Sequence, residues 1–248
     1  MLLSVDNITV HYSRLPALRE VSVFVDEGEI VCIVGPNGAG KSTTLLSISG
    51  VLNPTSGDIT FDGKRINGKS PEAVARAGIS QVPEGRHVFT TLNVEENLRI
   101  GTSIREDRSD IEKDFKKVLE IFPVLAERRK QAAGKLSGGE QQMLVIGRAL
   151  LTSPRIMTID EPSLGLAPNL VDRVYETLLE LRKDRGLTLL IVEQSSERAL
   201  KSADRLYVLR SGQMQLEGNV ADLQDGEKVR QAYFGFDEGA THGDEVAF

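Results

Sequence analysis

Residues 35–43 read GPNGAGKST; they follow an apolar run, EIVCIV (29–34), and lead into LLSISGVL (45–52). A strand must end, a loop must turn tightly and a helix must begin within this one stretch. Gly35, Gly38 and Gly40 take backbone angles that a side chain would forbid, with Pro36, Asn37 and Ala39 completing the loop. The N–H groups from Asn37 to Thr43 are thereby turned inward around a hole the size of a phosphate group. The helix that starts near Lys41 aims its positive dipole end at the same hole. Lys41 is positioned to reach the β- and γ-phosphates of a nucleotide, and the Ser42 hydroxyl to ligate the accompanying Mg²⁺. A plain strand-to-helix turn would explain the glycines but not the Lys-Ser pair that ends the loop.

The 248 residues suffice for one large domain or two small ones with a substantial core. Lys and Arg number 30 against 36 Asp and Glu, a net charge of -6, so the basic excess expected of a nucleic-acid binder is missing and no such partner is expected. The single cysteine, Cys32, lies in the apolar strand before the loop and reads as a small buried hydrophobe, which suits a reducing compartment. The opening MLLSVDNITV lacks a basic region followed by an apolar core, so no signal peptide is expected. The longest apolar runs, such as LTLLIV (187–192), fall far short of the ~20 residues of a membrane-spanning helix. Work at a membrane would therefore be that of a peripheral subunit.

Alternation predicts strands over 2–12 and 21–28, with a turn at Asp26-Glu27-Gly28 into the loop strand. Tyr12 follows the first strand; as pattern alone it reads as an edge-strand aromatic, the other reading being a platform for a nucleotide base. A strand is expected within 54–64, a short helix over 71–76 and a strand over 78–85. From there to about Pro154 the texture is helical: Ile111, Phe115, Val118, Leu119 and Phe122 share one helix face. Ser137-Gly138-Gly139-Glu140 reads as a capped helix start. Two exposed glycines and a serine there also make a second anion site, for which a second chain's nucleotide is the natural occupant. The apolar strand RIMTIDEPS (155–163) ends in two carboxylates: Asp160 is the candidate on the metal side, and Glu161 the candidate base that polarises an attacking water. A helix over 169–185, a strand over 187–194, a helix over 196–201 and strands over 205–209 and 213–217 follow. The acidic tail 236–248 is expected to be disordered, and no internal repeat is visible.

In this order the motifs resemble the ATP-binding cassette (ABC) family over essentially the whole chain to about Gly235. GPNGAGKST resembles its Walker A motif, Gln81 its Q-loop, LSGGE (136–140) its signature, IMTIDE its Walker B and SLGLAP (163–168) its D-loop. The resemblance implies an α/β P-loop NTPase fold: a RecA-like core at about 1–83 and 154–235, an antiparallel β subdomain, and an inserted α-helical subdomain at about 84–153. It implies ATP and Mg²⁺ as cofactors, with Ser42, Gln81 and Asp160 on the metal, and it makes Tyr12 the aromatic that stacks on adenine. Two ATPase subunits would meet head to tail, each nucleotide lying between one Walker A loop and the other subunit's Ser137, Gly138, Gly139 and Glu140.

The segments 81–98 and 189–200 further resemble the LivF-type ATPases of branched-chain amino acid importers, with Gln194 at the switch position where most of the family carries histidine. A second, different ATPase, two membrane permeases and a periplasmic binding protein are then expected at the cytoplasmic face of the inner membrane. The segment 84–89 would be the permease-docking surface. Importers of urea or short amides are the neighbouring alternative. Non-transport ABC proteins of DNA repair or translation would need a long coiled-coil insertion or a second cassette, and a P-loop GTPase an NKxD motif; none is in the sequence.

Overall fold

The computed structural model describes residues 1–223 and 226–235. The first strand, β1 (Leu3–Tyr12), pairs antiparallel with β2 (Leu15–Val25). Buried Leu3, Val5, Ile8 and Val10 give β1 one apolar face. The hairpin closes at Ser13, whose φ of 56° is in the left-handed region that two-residue hairpin turns require. The second strand therefore begins at Leu15, not near residue 21 as alternation suggested. Its early half holds Pro16, which is tolerated because β2 is an edge of its four-stranded sheet, ordered β2-β1-β4-β5 with β4 (Ser56–Phe61) and β5 (Lys64–Arg65).

All five residues of β3 (Ile30–Val34) are buried, as expected of a central strand in a parallel sheet covered on both faces. It leads through the glycine loop into α1 (Lys41–Ile48). Helix α2 (Pro71–Arg76) starts behind a Ser70 cap with proline in its first turn, and β6 (Ile79–Val82) follows. Four helices then intervene before the chain returns to the sheet: α3 (Val94–Ile100), α4 (Arg108–Ile121), α5 (Pro123–Glu127) and α6 (Gly138–Leu150). The rest alternates: β7 (Ile156–Asp160), α7 (Pro168–Arg185), β8 (Thr188–Glu193), α8 (Ser196–Ser202), β9 (Arg205–Arg210), β10 (Gln213–Asn219) and α9 (Glu227–Phe234). Helix α9 lies beyond the last element the sequence predicts, and the expected disorder of 236–248 falls outside the described residues.

The second sheet runs β10-β9-β3-β8-β7-β6; only β10 is antiparallel to its neighbour. Alternation along the parallel strands divides the core in two. Val31, Ile33, Leu190 and Val192 pack toward the antiparallel sheet and α1, while Ile30, Cys32, Val34, Leu189 and Ile191 pack toward the intervening helices and α7. Because these strands are parallel, β3, β6, β7 and β8 all end on the same side, where ligands bind in folds of this kind. One buried side chain shapes the segment after β6. Asn97 donates to the carbonyls of Phe89, Leu92 and Asn93 (3.0, 3.2 and 3.0 Å) and accepts from the Phe89 N–H, so that segment is pinned to α3.

Candidate functional site

The loop after β3 is built around close approaches. A Cβ on Gly35 would stand 2.0 Å from the Leu209 carbonyl oxygen, and Gly40 combines a φ of +108° with Leu18 at 2.6 Å from its would-be Cβ. A side chain at Gly35 would have to displace the β9 backbone, and at Gly40 the left-handed φ itself disfavours any other residue. Helix α1 carries no side-chain cap, so its first N–H groups remain directed into the loop. Lys41 is 4% exposed; its Nζ donates to the carbonyls of Gly35 (2.8 Å) and Pro36 (3.2 Å) and lies 3.3 Å from Glu161 Oε1. The ammonium is thus held by ligands of its own loop and a carboxylate, the arrangement phosphate oxygens would compete with.

Glu161 stands just past β7 at a φ of 46°, a conformation that costs a non-glycine residue energy and persists only where its surroundings impose it. Its N–H bonds to Val192 O (3.0 Å) and its Oε2 accepts from Gln194 Nε2 (2.5 Å). The ends of β3, β7 and β8 therefore deliver Lys41, Glu161 and Gln194 to one cluster. Asp160 is 4% exposed, and its Oδ1 is buried without a hydrogen-bond partner. Burial pushes this carboxyl up to about 6; the nearby Ser42 hydroxyl acts against the rise, and the charges of Glu84 and Glu161 add to it. An orphaned carboxylate oxygen beside the Ser42 hydroxyl fits Mg²⁺, which takes one or two protein oxygens and completes its shell with phosphate and water. Among the described residues no set of three or more His, Cys, Asp or Glu is placed to hold an ion.

Lys41, Ser42, Glu161 and Gln194 open onto a cavity of about 540 Å³, which Tyr12, Ala17, the rest of the loop from Asn37 to Thr43, Glu84 and Leu164 also line. Tyr12 stands at the rim, 48% exposed, with its hydroxyl 3.5 Å from Thr43 Oγ1. Gln81 is not among these residues: it lies inside β6, paired with Thr158 of β7. Glu84, two residues past the end of β6, takes the place on the cavity wall expected of Gln81. The signal was available, since ligand contacts come from beyond a parallel strand's carboxyl end and Val82-Pro83 ends this one.

Ser137, Gly138, Gly139 and Glu140 also lie apart from this cavity. Ser137 caps α6, accepting from Glu140 N (3.4 Å), while Glu140 Oε2 accepts from Ser137 N (2.8 Å) and Oε1 pairs with Arg128 at 2.9 Å. The Glu140 carboxylate thus serves the cap rather than facing outward. Arg86 packs on Gly138 and donates to the carbonyls of Leu164 (3.4 Å) and Gly165 (3.2 Å), tying the loop after β6 to the one after β7. The phosphate-loop cavity and the cap of α6 are thus separate places on one chain.

The model of the ABC transporter family matches residues 18–164, more than half of the chain, and takes in the phosphate loop, the cap at Ser137 and both strand-end carboxylates. The chain belongs to the ABC transporter family. It is an ATPase cassette of the P-loop α/β fold, and such cassettes bind nucleotide and act as dimers with membrane permease partners. The high-affinity branched-chain amino acid transport ATP-binding protein BraG of Pseudomonas aeruginosa is 46% identical over 94% of this chain and 100% of that protein. The probable branched-chain amino acid transport ATP-binding protein LivF of Archaeoglobus fulgidus is 36% identical over 90% and 94%. The crystal structure of the ADP conformation of MJ1267, an ATP-binding cassette of an ABC transporter, superposes with a TM-score of 0.82 at 32% identity, covering 95% of this chain and 99% of that one. Among the described residues no helix of this cassette is long and apolar enough to cross a membrane.

Proposed function

We propose that this cassette powers the import of branched-chain amino acids through membrane permeases. The observation that carries the reading is the 46% identity to BraG along the whole of that protein, on a chain whose cavity keeps the phosphate loop, Glu161 and Gln194 together. Its partners are a second, different ATPase bound head to tail, two permeases and, indirectly, a periplasmic binding protein, at the cytoplasmic face of the inner membrane. The RecA-like core takes residues 1–83 and 154–235, and the helices of 84–153 form the subdomain that meets the permease. Within that subdomain Phe89 is 49% exposed beneath the Arg148 guanidinium, 5.4 Å from its ring, and Arg148 donates to His87 O at 3.0 Å. The segment 84–89 thus offers an aromatic side chain on a braced backbone.

In hydrolysis Lys41 and the N–H groups from Asn37 to Thr43 bind the phosphates, and Tyr12 stacks on the base. Ser42 and Asp160 would hold Mg²⁺, with Glu84 in the metal-side role expected of Gln81, and the bound ion would supply charge neutralisation to the phosphates. Glu161 accepts the proton of the attacking water. Gln194 orients Glu161 through its 2.5 Å hydrogen bond and turns the same amide toward the transferring phosphoryl group. Ser137, Gly138 and Gly139 close on the partner subunit's nucleotide.

Reconstitution in proteoliposomes with permeases and binding protein tests the solute: ATP-driven uptake of labelled leucine is expected, and uptake of urea or acetamide in its place would reassign the cassette to an amide importer. In the same vesicles Gln194→Ala is expected to slow hydrolysis by up to about 10²-fold, by removing a donor at the reacting group. Gln194→His, which keeps a donor, should retain activity. The partner's own catalytic glutamate must be disabled in this assay, and an unchanged Gln194→Ala rate would then rule the switch role out.

A further inference from the structure

Next to Gln194 lies a buried carboxylate that the mechanism above does not use. Glu193, the last residue of β8, is 2% exposed, does not line the nucleotide cavity and forms no ion pair among the described residues. A charge sealed from water without a counter-ion is costly, and it persists only where hydrogen bonds replace its hydration. Three donors do so. Tyr175 of α7 donates its hydroxyl to Oε1 at 2.8 Å; Ser163, in the loop after β7, donates to Oε2 at 3.1 Å; the backbone N–H of Gln194 donates to Oε2 at 3.2 Å. Burial, and after it the Glu193 charge, drive the Tyr175 phenol well above its usual range, so it remains a donor.

We propose that Glu193 is a positioning residue for ATP hydrolysis, clamping the loop that carries Glu161 to the strand end that carries Gln194. Ser163 is two residues from Glu161, and Gln194 adjoins Glu193 and bonds Glu161 directly. The contacts close a ring: Glu161 to Gln194 through side chains, Gln194 to Glu193 along the backbone, Glu193 to Ser163, and back along the loop to Glu161. Such a ring over-determines the loop and so maintains Glu161 at its unfavourable φ of 46°. The anchoring of Tyr175 fixes the ring to a long helix and not to another loop. An apolar residue at 193 would fill the same volume but could not hold three segments in register.

The inference rests on Glu161 being the base, and the test separates the two. Glu193→Gln keeps the shape but has only one acceptor oxygen for donors arriving on two sides; Ser163→Ala removes one donor from an outer loop and leaves the core intact. In the assembled transporter with the partner's site disabled, both are expected to lower kcat by roughly tenfold or more, the scale of a small misplacement at a reacting group. The affinity for a fluorescent ATP analogue should change less than about twofold, because neither residue lines the cavity. Ser163→Thr, which retains the hydroxyl, should restore kcat. Combined with Glu161→Gln, Ser163→Ala should add no further loss, since it acts through Glu161. A kcat within twofold of wild type in Ser163→Ala and Glu193→Gln, or an additive loss in the double variant, overturns the positioning role. Wild-type turnover in Glu161→Gln alone would instead overturn the assignment of the base.

Discussion

Glu161→Gln is expected to stop turnover while leaving ATP bound, with a rate about 10²- to 10⁴-fold below wild type. The amide keeps the outline of the carboxylate and can still lie beside Lys41, now 3.3 Å from Glu161 Oε1, and Gln194. It cannot accept the proton of the attacking water. It also removes the negative charge that holds the Lys41 ammonium, so the lysine is freer to meet phosphate and affinity should not fall. Single-turnover hydrolysis with equilibrium binding of an ATP analogue checks both halves. Hydrolysis at near wild-type speed would remove Glu161 from the chemistry.

Ser137→Arg should be almost as damaging for a different reason. Ser137 caps α6 at a place that does not line its own chain's cavity. A long cation there leaves the phosphate loop intact but obstructs the nucleotide presented by the partner. Hydrolysis is expected to fall by about 10² to 10³, the usual cost of losing positioned donors around a phosphoryl or acyl oxygen. Binding of the ATP analogue by the single chain should be unchanged. The substitution also removes the cap, worth ~1 kcal/mol of stability. Ser137→Ala is the control, since it loses the cap without adding bulk, and its turnover should lie far above that of Ser137→Arg. Poor ATP binding by the isolated Ser137→Arg chain would place the cap in its own site and contradict the head-to-tail pair.

What could be read from the sequence was what neighbouring residues decide. The phosphate loop was legible because strand, glycines, Lys41 and Ser42 are contiguous, and β7 because its apolar run ends in two acids. The start of β2 was not: the hairpin turns on Ser13, which gives no glycine or asparagine signal, and Pro16 argues against a strand until the edge position is known. Gln81 and Glu84 differ by where β6 stops, a boundary that pairing with β7 sets. Glu193 was invisible for a related reason. Its partners Tyr175 and Ser163 come from other elements, so the residue reads as the polar end of an apolar strand until α7 and the loop after β7 fold against it.

Cys32 gives the cassette a built-in unfolding clock. It is the single cysteine of the chain, wholly buried in β3, and burial drives its thiol far above the ordinary cysteine range, beyond the reach of alkylating reagents in the native state. Reaction requires lifting the helices that cover this face of β3, where Cys32 packs in the core, so the labelling rate reads the opening of the core and not the motion of loops. The same strand runs directly into the phosphate loop. A nucleotide that binds only the folded chain slows the clock in proportion to 1 + [L]/Kd, so its affinity can be timed without a chromophore on the ligand.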